Sequence, residues 1–142
     1  MEEKQKKQSS GKIVKNLLHG VGRRKSAVAR VWLTKGDGKI EVNGKDYSEY
    51  FDTDLTRRMV KSPIKISGME KSFSIKVNVL GGGRVGQAGA VRLGISRALL
   101  VCDESLRQQL RKHSFLTVDS RKKERKKYGQ KGARRKFQFV KR

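Results

Sequence analysis

The last 23 residues of this 142-residue chain carry twelve lysines and arginines against one acid, Glu124. Charge at that density repels itself and has almost nothing apolar to bury. The segment is therefore expected to stay extended until a polyanion neutralises it. Residues 20–119 are milder, with nineteen basic and ten acidic side chains, and residues 1–19 carry five and two. Nearly half of the net charge of +23 thus sits in the last sixth of the chain. A core has to come from the middle hundred residues, which is enough for one domain. Three parts are expected: a flexible N-terminal extension over 1–18, a globular body over 19–118 and an extended basic tail over 119–142.

Several classes drop out. One cysteine, Cys102, allows no internal disulfide and no zinc site built on thiolates. No run approaches the roughly 18 apolar residues of a membrane span. The polar stretch from Met1 to Ser10 has Glu2 and Glu3 where a secretory signal needs cations, and it lacks the Arg-rich, acid-poor character of a transit peptide. A membrane partner is not expected.

The body reads as alternating strands and helices. Ala27 to Thr34, AVARVWLT, is apolar on both faces except at Arg30, as for a strand covered on two sides. A turn at Gly36-Asp37-Gly38 leads to a short alternating strand from Lys39 to Val42, and Asn43-Gly44 signals a hairpin. Asp54 is placed to cap a short helix through Leu55, Met59 and Val60, ending near Pro63, with a strand-like piece at 64–66. Phe73, Ile75, Val77 and Val79 form the buried side of a period-two strand. Gln87 to Val101 reads as a helix, and Asp103 caps another that points Leu106 and Leu110 inward. This order fits an α+β two-layer sandwich better than a doubly wound sheet.

Residues 81–86, GGGRVG, contain a literal G-x-G-x-x-G between strand and helix, formally a dinucleotide-binding pattern. In that fold the ribose-binding acid ends a second parallel strand. Here the acid at the right distance, Asp103, starts a helix, so the match fails. No Lys-Ser/Thr pair follows Gly86 either, which excludes a P-loop. The glycines leave backbone N–H groups at a helix start beside Arg84, which suits an RNA phosphate, a nucleotide phosphate or a plain tight turn. His113, Ser114 and Asp119 surround a helix end rather than forming a triad, His19 and His113 read as surface residues, and Cys102 reads as a small core residue. No catalytic group, metal set or cofactor site emerges.

The basic segments carry more. Arg23, Arg24 and Lys25 stand together at the entry to the first strand read above. In the tail, Arg121, Lys122, Lys123, Arg125, Lys126, Lys127, Arg134, Arg135 and Lys136 interleave with Tyr128, Phe137 and Phe139. Cations for phosphates and aromatic rings for bases are what single-stranded nucleic acid requires.

Residues 20–31, GVGRRKSAVARV, residues 81–99, GGGRVGQAGAVRLGISRAL, and the tail pieces ERKKYG, ARR and QF resemble, in order, three motifs of the ribosomal S-nine family, the universal ninth protein of the small subunit. The likeness covers about residues 19–142. Leu93 stands where the family often has histidine, and Val140 where serine is usual. The ending FQFVKR resembles the bacterial and organellar branch, so a bacterial cytoplasmic ribosome is expected, with an organellar one as the alternative. The resemblance implies a ribosomal S-five domain-two-like fold with a left-handed β-α-β crossover, sited in the head of the small subunit beside other head proteins. It also implies ribosomal RNA contacts for Arg23, Arg24, Lys25, Arg84, Arg92, Arg97 and the basic residues of 121–136 with Tyr128, and a peptidyl-site tRNA contact for Lys141 and Arg142. Twenty-three extended residues span up to about 75 Å, enough for such a reach. Two rivals remain: a free DNA-compacting protein, which gives no reason for the terminal Gln-Phe and Lys-Arg pairs, and a nucleotide-binding enzyme, which lacks a second phosphate or ribose contact.

Overall fold

In the computed structural model, residues 18–139 and 141 are described. Five strands form one sheet in the order β1-β2-β5-β3-β4. They are β1 (Leu18–Arg24), β2 (Ala27–Lys35), β3 (Ile40–Val42), β4 (Lys45–Asp46) and β5 (Phe73–Leu80). The helices are α1 (Tyr47–Tyr50), α2 (Asp54–Ser67), α3 (Arg84–Cys102) and α4 (Arg107–Lys112), the last entered through a 3-10 turn over Glu104–Leu106. β3 and β5 are parallel neighbours joined through α2, and every other pair is antiparallel. This is the α+β arrangement expected.

β1 is absent from the hydrophobic pattern, and the packing explains why. Its inward positions include Gly20 and Gly22, against which α3 lies backbone to backbone. A Cβ at Gly22 would overlap the Ala90 carbonyl oxygen and stand 2.5 Å from the Gly94 nitrogen, and one at Gly20 would stand 2.6 Å from the Ala98 nitrogen. A buried strand face made of glycine leaves no apolar signature. α3 in turn presents Ala90, Gly94 and Ala98 to that face. The expectation that no run is long and apolar enough to span a membrane does not hold for α3, which passes by length and composition, but it lies mostly buried in the core.

The core gathers Ala29, Val31 and Leu33 from β2, Ile75, Val77 and Val79 from β5, Val60 and Ile64 from α2, and Val91, Ile95 and Leu99 from α3. The Asn43-Gly44 turn has positive φ at both residues, 50° and 81°, as a two-residue hairpin of this kind requires. The Asn43 side chain also bonds both the N–H and the C=O of Val79, at 2.9 Å each, and so continues the strand pairing.

Four other expectations fail. Residues 64–66 are not a strand: α2 runs through Pro63 to Ser67 and ends on Gly68 in the left-handed region (φ 69°). Proline removes the donor to the carbonyl four residues back and ordinarily costs a helix about 3 kcal/mol. Here the Ser62 hydroxyl donates to that Met59 carbonyl at 2.8 Å, and Pro63 and Ile64 are buried. The cap of α2 is Thr53, not Asp54, which lies in the first turn and pairs with Arg57 at 3.2 Å. Cys102 is exposed, because the last turn of α3 overruns the core and leaves Val101 exposed as well. Lastly, β2 is covered on one side only: Ala29, Val31 and Leu33 are buried, whereas Arg30 and Thr34 are exposed and Val28 and Trp32 half-buried.

Candidate nucleic-acid interface

The glycine turn before α3 is built for the chain itself. Gly81 and Gly82 have φ of 71° and 65°. A Cβ on Gly81 would stand 2.6 Å from the Ser26 carbonyl oxygen, and one on Gly82 3.1 Å from Ala27. The close approach is to the β1–β2 turn. Gln87 closes the loop, its amide donating to the Gly81 carbonyl at 3.1 Å while its oxygen accepts from the Tyr50 hydroxyl at 2.9 Å. Arg84 is exposed and lies over the Tyr50 ring, 4.4 Å from its centroid.

Arg23, Arg24 and Lys25 are adjacent in sequence but diverge in space. Arg23 is exposed on the sheet face opposite the helices, and Lys25 is exposed at the turn tip with φ 52°. Arg24 points inward and crosses Gly89 of α3, where a Cβ would collide with its side chain. Its terminal nitrogen lies 3.4 Å from Asp119, while its Nε is buried and has no hydrogen-bond partner among the described residues. Arg92 lies over the Phe115 ring at 5.2 Å. Its pKa is lowered, chiefly by burial and further by the Arg24 charge. Arg97 donates to the Val21 carbonyl at 2.7 Å, fastening α3 to β1. Arg24, Arg92 and Arg97 thus each serve the body, whereas Arg23, Lys25 and Arg84 face outward.

Asp119 fixes the root of the tail. It accepts from Arg121 through Nε (3.0 Å), Nη2 (2.9 Å) and the backbone N–H (3.1 Å), and it faces Arg24. These donors, the Arg121 side chain first, hold its carboxyl well below the usual carboxylate range. A depressed carboxylate pKa contributes above the ordinary value of 3.8 and is lost only as pH falls through the lowered one. The clasp therefore persists through mild acid. Asp119→Asn is expected to speed amide exchange at Arg121 at neutral pH without shifting global unfolding measurably. Unchanged exchange there would show that the root is held elsewhere.

Beside this root lies an open groove of about 540 Å³, lined by Arg23, Lys25, Val28, Val118, Asp119 and Lys122 among others. A second, of about 410 Å³, is bordered by Arg24, Lys25, Arg121, Lys122 and Lys123. Further on, residues 117–139 include no helix or strand and are mostly exposed. Glu124 pairs with Lys127 at 3.2 Å and Arg134 at 2.8 Å, and the Lys131 N–H bonds the Arg135 carbonyl at 2.9 Å, so the chain turns back locally. Lys122, Lys123, Arg125, Lys126, Arg135, Lys136 and Lys141 are exposed, as are the rings of Tyr128 and Phe139. Arg142 lies outside the described residues. Among the described residues no three His, Cys, Asp or Glu side chains gather as a metal site.

Sequence reasoning placed cations at both ends of this interface but gave no role to the open sheet face. Its signal was Arg30 standing between Val28 and Trp32 on one face of AVARVWLT, with Ala29, Val31 and Leu33 on the other.

Fold and surface together define a small, strongly cationic α/β protein whose charge is concentrated at one sheet end and along an exposed terminal segment. The model of the family described as ribosomal protein S9/S16 matches residues 22–142. Small ribosomal subunit protein uS9 of Solidesulfovibrio magneticus is 53% identical over 124 residues, covering 87% of this chain and 95% of that protein. The uS9 proteins of Borreliella burgdorferi and Desulfosudis oleivorans are 51% and 49% identical over 127 and 125 residues, covering 89% and 88% of this chain and 93% and 96% of theirs. The chain belongs to the ribosomal protein S9/S16 family, and it is a structural constituent of the ribosome, not an enzyme.

Proposed function

We propose that the body binds small-subunit ribosomal RNA in the subunit head, next to other head proteins, and that the tail threads RNA to meet the peptidyl-site tRNA. The division is a body over 19–118, an N-terminal extension over 1–18 and a tail over 119–142. The finer fold is the S-five domain-two-like one, with a left-handed hand to the β3–α2–β5 crossover. One observation carries the reading: the cations of 121–136 are exposed on a segment holding a single acid, with Tyr128 fully exposed among them. Exposed cations release counterions when they meet phosphates, and exposed rings stack on unpaired bases. Arg23, Lys25 and Arg84 join this surface from the body. Arg24, Arg92 and Arg97 contribute with the parts of their guanidinium groups not engaged internally. The bacterial relatives favour a bacterial cytoplasmic ribosome.

The terminal pair gives the sharpest test. Deleting Lys141 and Arg142 removes two of 36 cations, so incorporation into subunits is expected to be unchanged. Dissociation of peptidyl-site tRNA from purified small subunits is expected to quicken a few-fold, since an exposed charge–phosphate contact is worth about 1 kcal/mol. Truncated subunits that assemble normally and hold tRNA as the full chain does would remove the tRNA part of the reading.

A further inference from the structure

The sheet face turned away from the helices is where the structure adds something. Strand register places His19, Trp32, Lys76 and Glu41 in one row across four strands, and Val21, Arg30 and Asn78 in the next. His19, Arg30, Lys76 and Asn78 are exposed, and Trp32 is half-buried at the middle of the face. The His19 and Trp32 rings are 5.5 Å apart and inclined at 42°, so they do not stack flat on each other and each keeps a surface for a planar partner. Arg30 and Lys76 flank Trp32 and Arg23 stands two rows beyond it, against two acids at the far edge, Glu41 and its β4 neighbour Asp46. The apolar side chains of this face, Val21, Val28 and the exposed Leu80, lie on the Arg23 side of Trp32, while beside Trp32 itself a polyanion would meet the complementary charge of Arg30 and Lys76.

We infer that this open face is a second RNA site, which takes an unpaired strand with a base stacked on Trp32 and its phosphates beside Arg30 and Lys76. Aromatic rings on an exposed sheet, flanked by cations, hold single-stranded bases in this way in other folds. Asn78 adds an amide that can donate to or accept from a base edge. The inference rests on the RNA reading above for its partner but uses none of the residues of the tail, and the tail alone does not account for it.

Trp32 is the only tryptophan, so its emission reports on this face alone. The probe is a twelve-nucleotide oligouridylate with a fluorescent end label, titrated with the full chain. Label anisotropy reads total binding, which the tail dominates, and tryptophan emission reads the sheet. Both are expected to change with the oligonucleotide, whereas inorganic polyphosphate binds without quenching Trp32. The double variant Arg30→Glu/Lys76→Glu, with far-ultraviolet circular dichroism as the fold check, is expected to weaken the Trp32 titration by about tenfold while anisotropy binding persists. Anisotropy that rises while Trp32 stays silent overturns this inference, leaves the tail reading standing and assigns the face to a protein neighbour. Equal quenching by polyphosphate, or quenching unaffected in the double variant, overturns it as well. No binding of the oligonucleotide by either readout sinks the RNA reading itself.

Discussion

Gly22→Val is expected to cost the body about 3 kcal/mol or more of stability, a large share of the 5–15 kcal/mol that holds a domain together. The new side chain would run into the Ala90 carbonyl and the Gly94 nitrogen, which belong to the backbone of the longest helix. A side chain in that place could swing away; a helix backbone cannot give without pulling Val91 and Ile95 out of the core. Urea unfolding followed by Trp32 emission measures the loss. Gly83→Ala is the control, because Gly83 has extended dihedrals and nothing within 4 Å of an added Cβ, so its change should stay within about 0.5 kcal/mol. Equal midpoints for the two variants would contradict the direct packing of α3 on β1.

The other large effect concerns binding. Removing residues 122–142 takes away eleven cations but keeps Arg121 on Asp119. No core residue lies in the removed segment, so unfolding of the body is expected to stay as it is. Affinity for small-subunit ribosomal RNA should nevertheless fall about a hundredfold or more at moderate salt, since roughly six phosphate contacts are lost. A truncated chain that binds within a factor of three of the full one would place the interface on the body.

How far the fold could be read from the sequence depended on whether inward positions carried side chains. β5 was plain, because Ile75, Val77 and Val79 alternate with Lys76 and Asn78. β1 was hidden, because its inward positions are glycines pressed against a helix. α2 was cut short at Pro63, because nothing in the sequence weighs a Ser62 hydroxyl against a missing amide donor. In the interface, charge was legible and its partition was not. Pleating sends Arg23 outward and Arg24 inward, and only the tertiary structure shows Asp119 meeting Arg24 across the β1–tail junction. The run AVARVWLT suggests a strand covered on two sides because an apolar run looks the same whether one face or both are covered, and the open side of Trp32 is not visible in it.

The central claim is that the exposed cations of the terminal segment hold RNA by neutralising phosphates. The salt dependence of affinity for small-subunit ribosomal RNA, compared between the full chain and the chain ending at Arg121, tests it most directly. With about six contacts at roughly 0.7 each on unpaired strands, the slope of log affinity against log salt should be steeper by about 4 for the full chain. Equal slopes would contradict the account, whatever the difference in affinity.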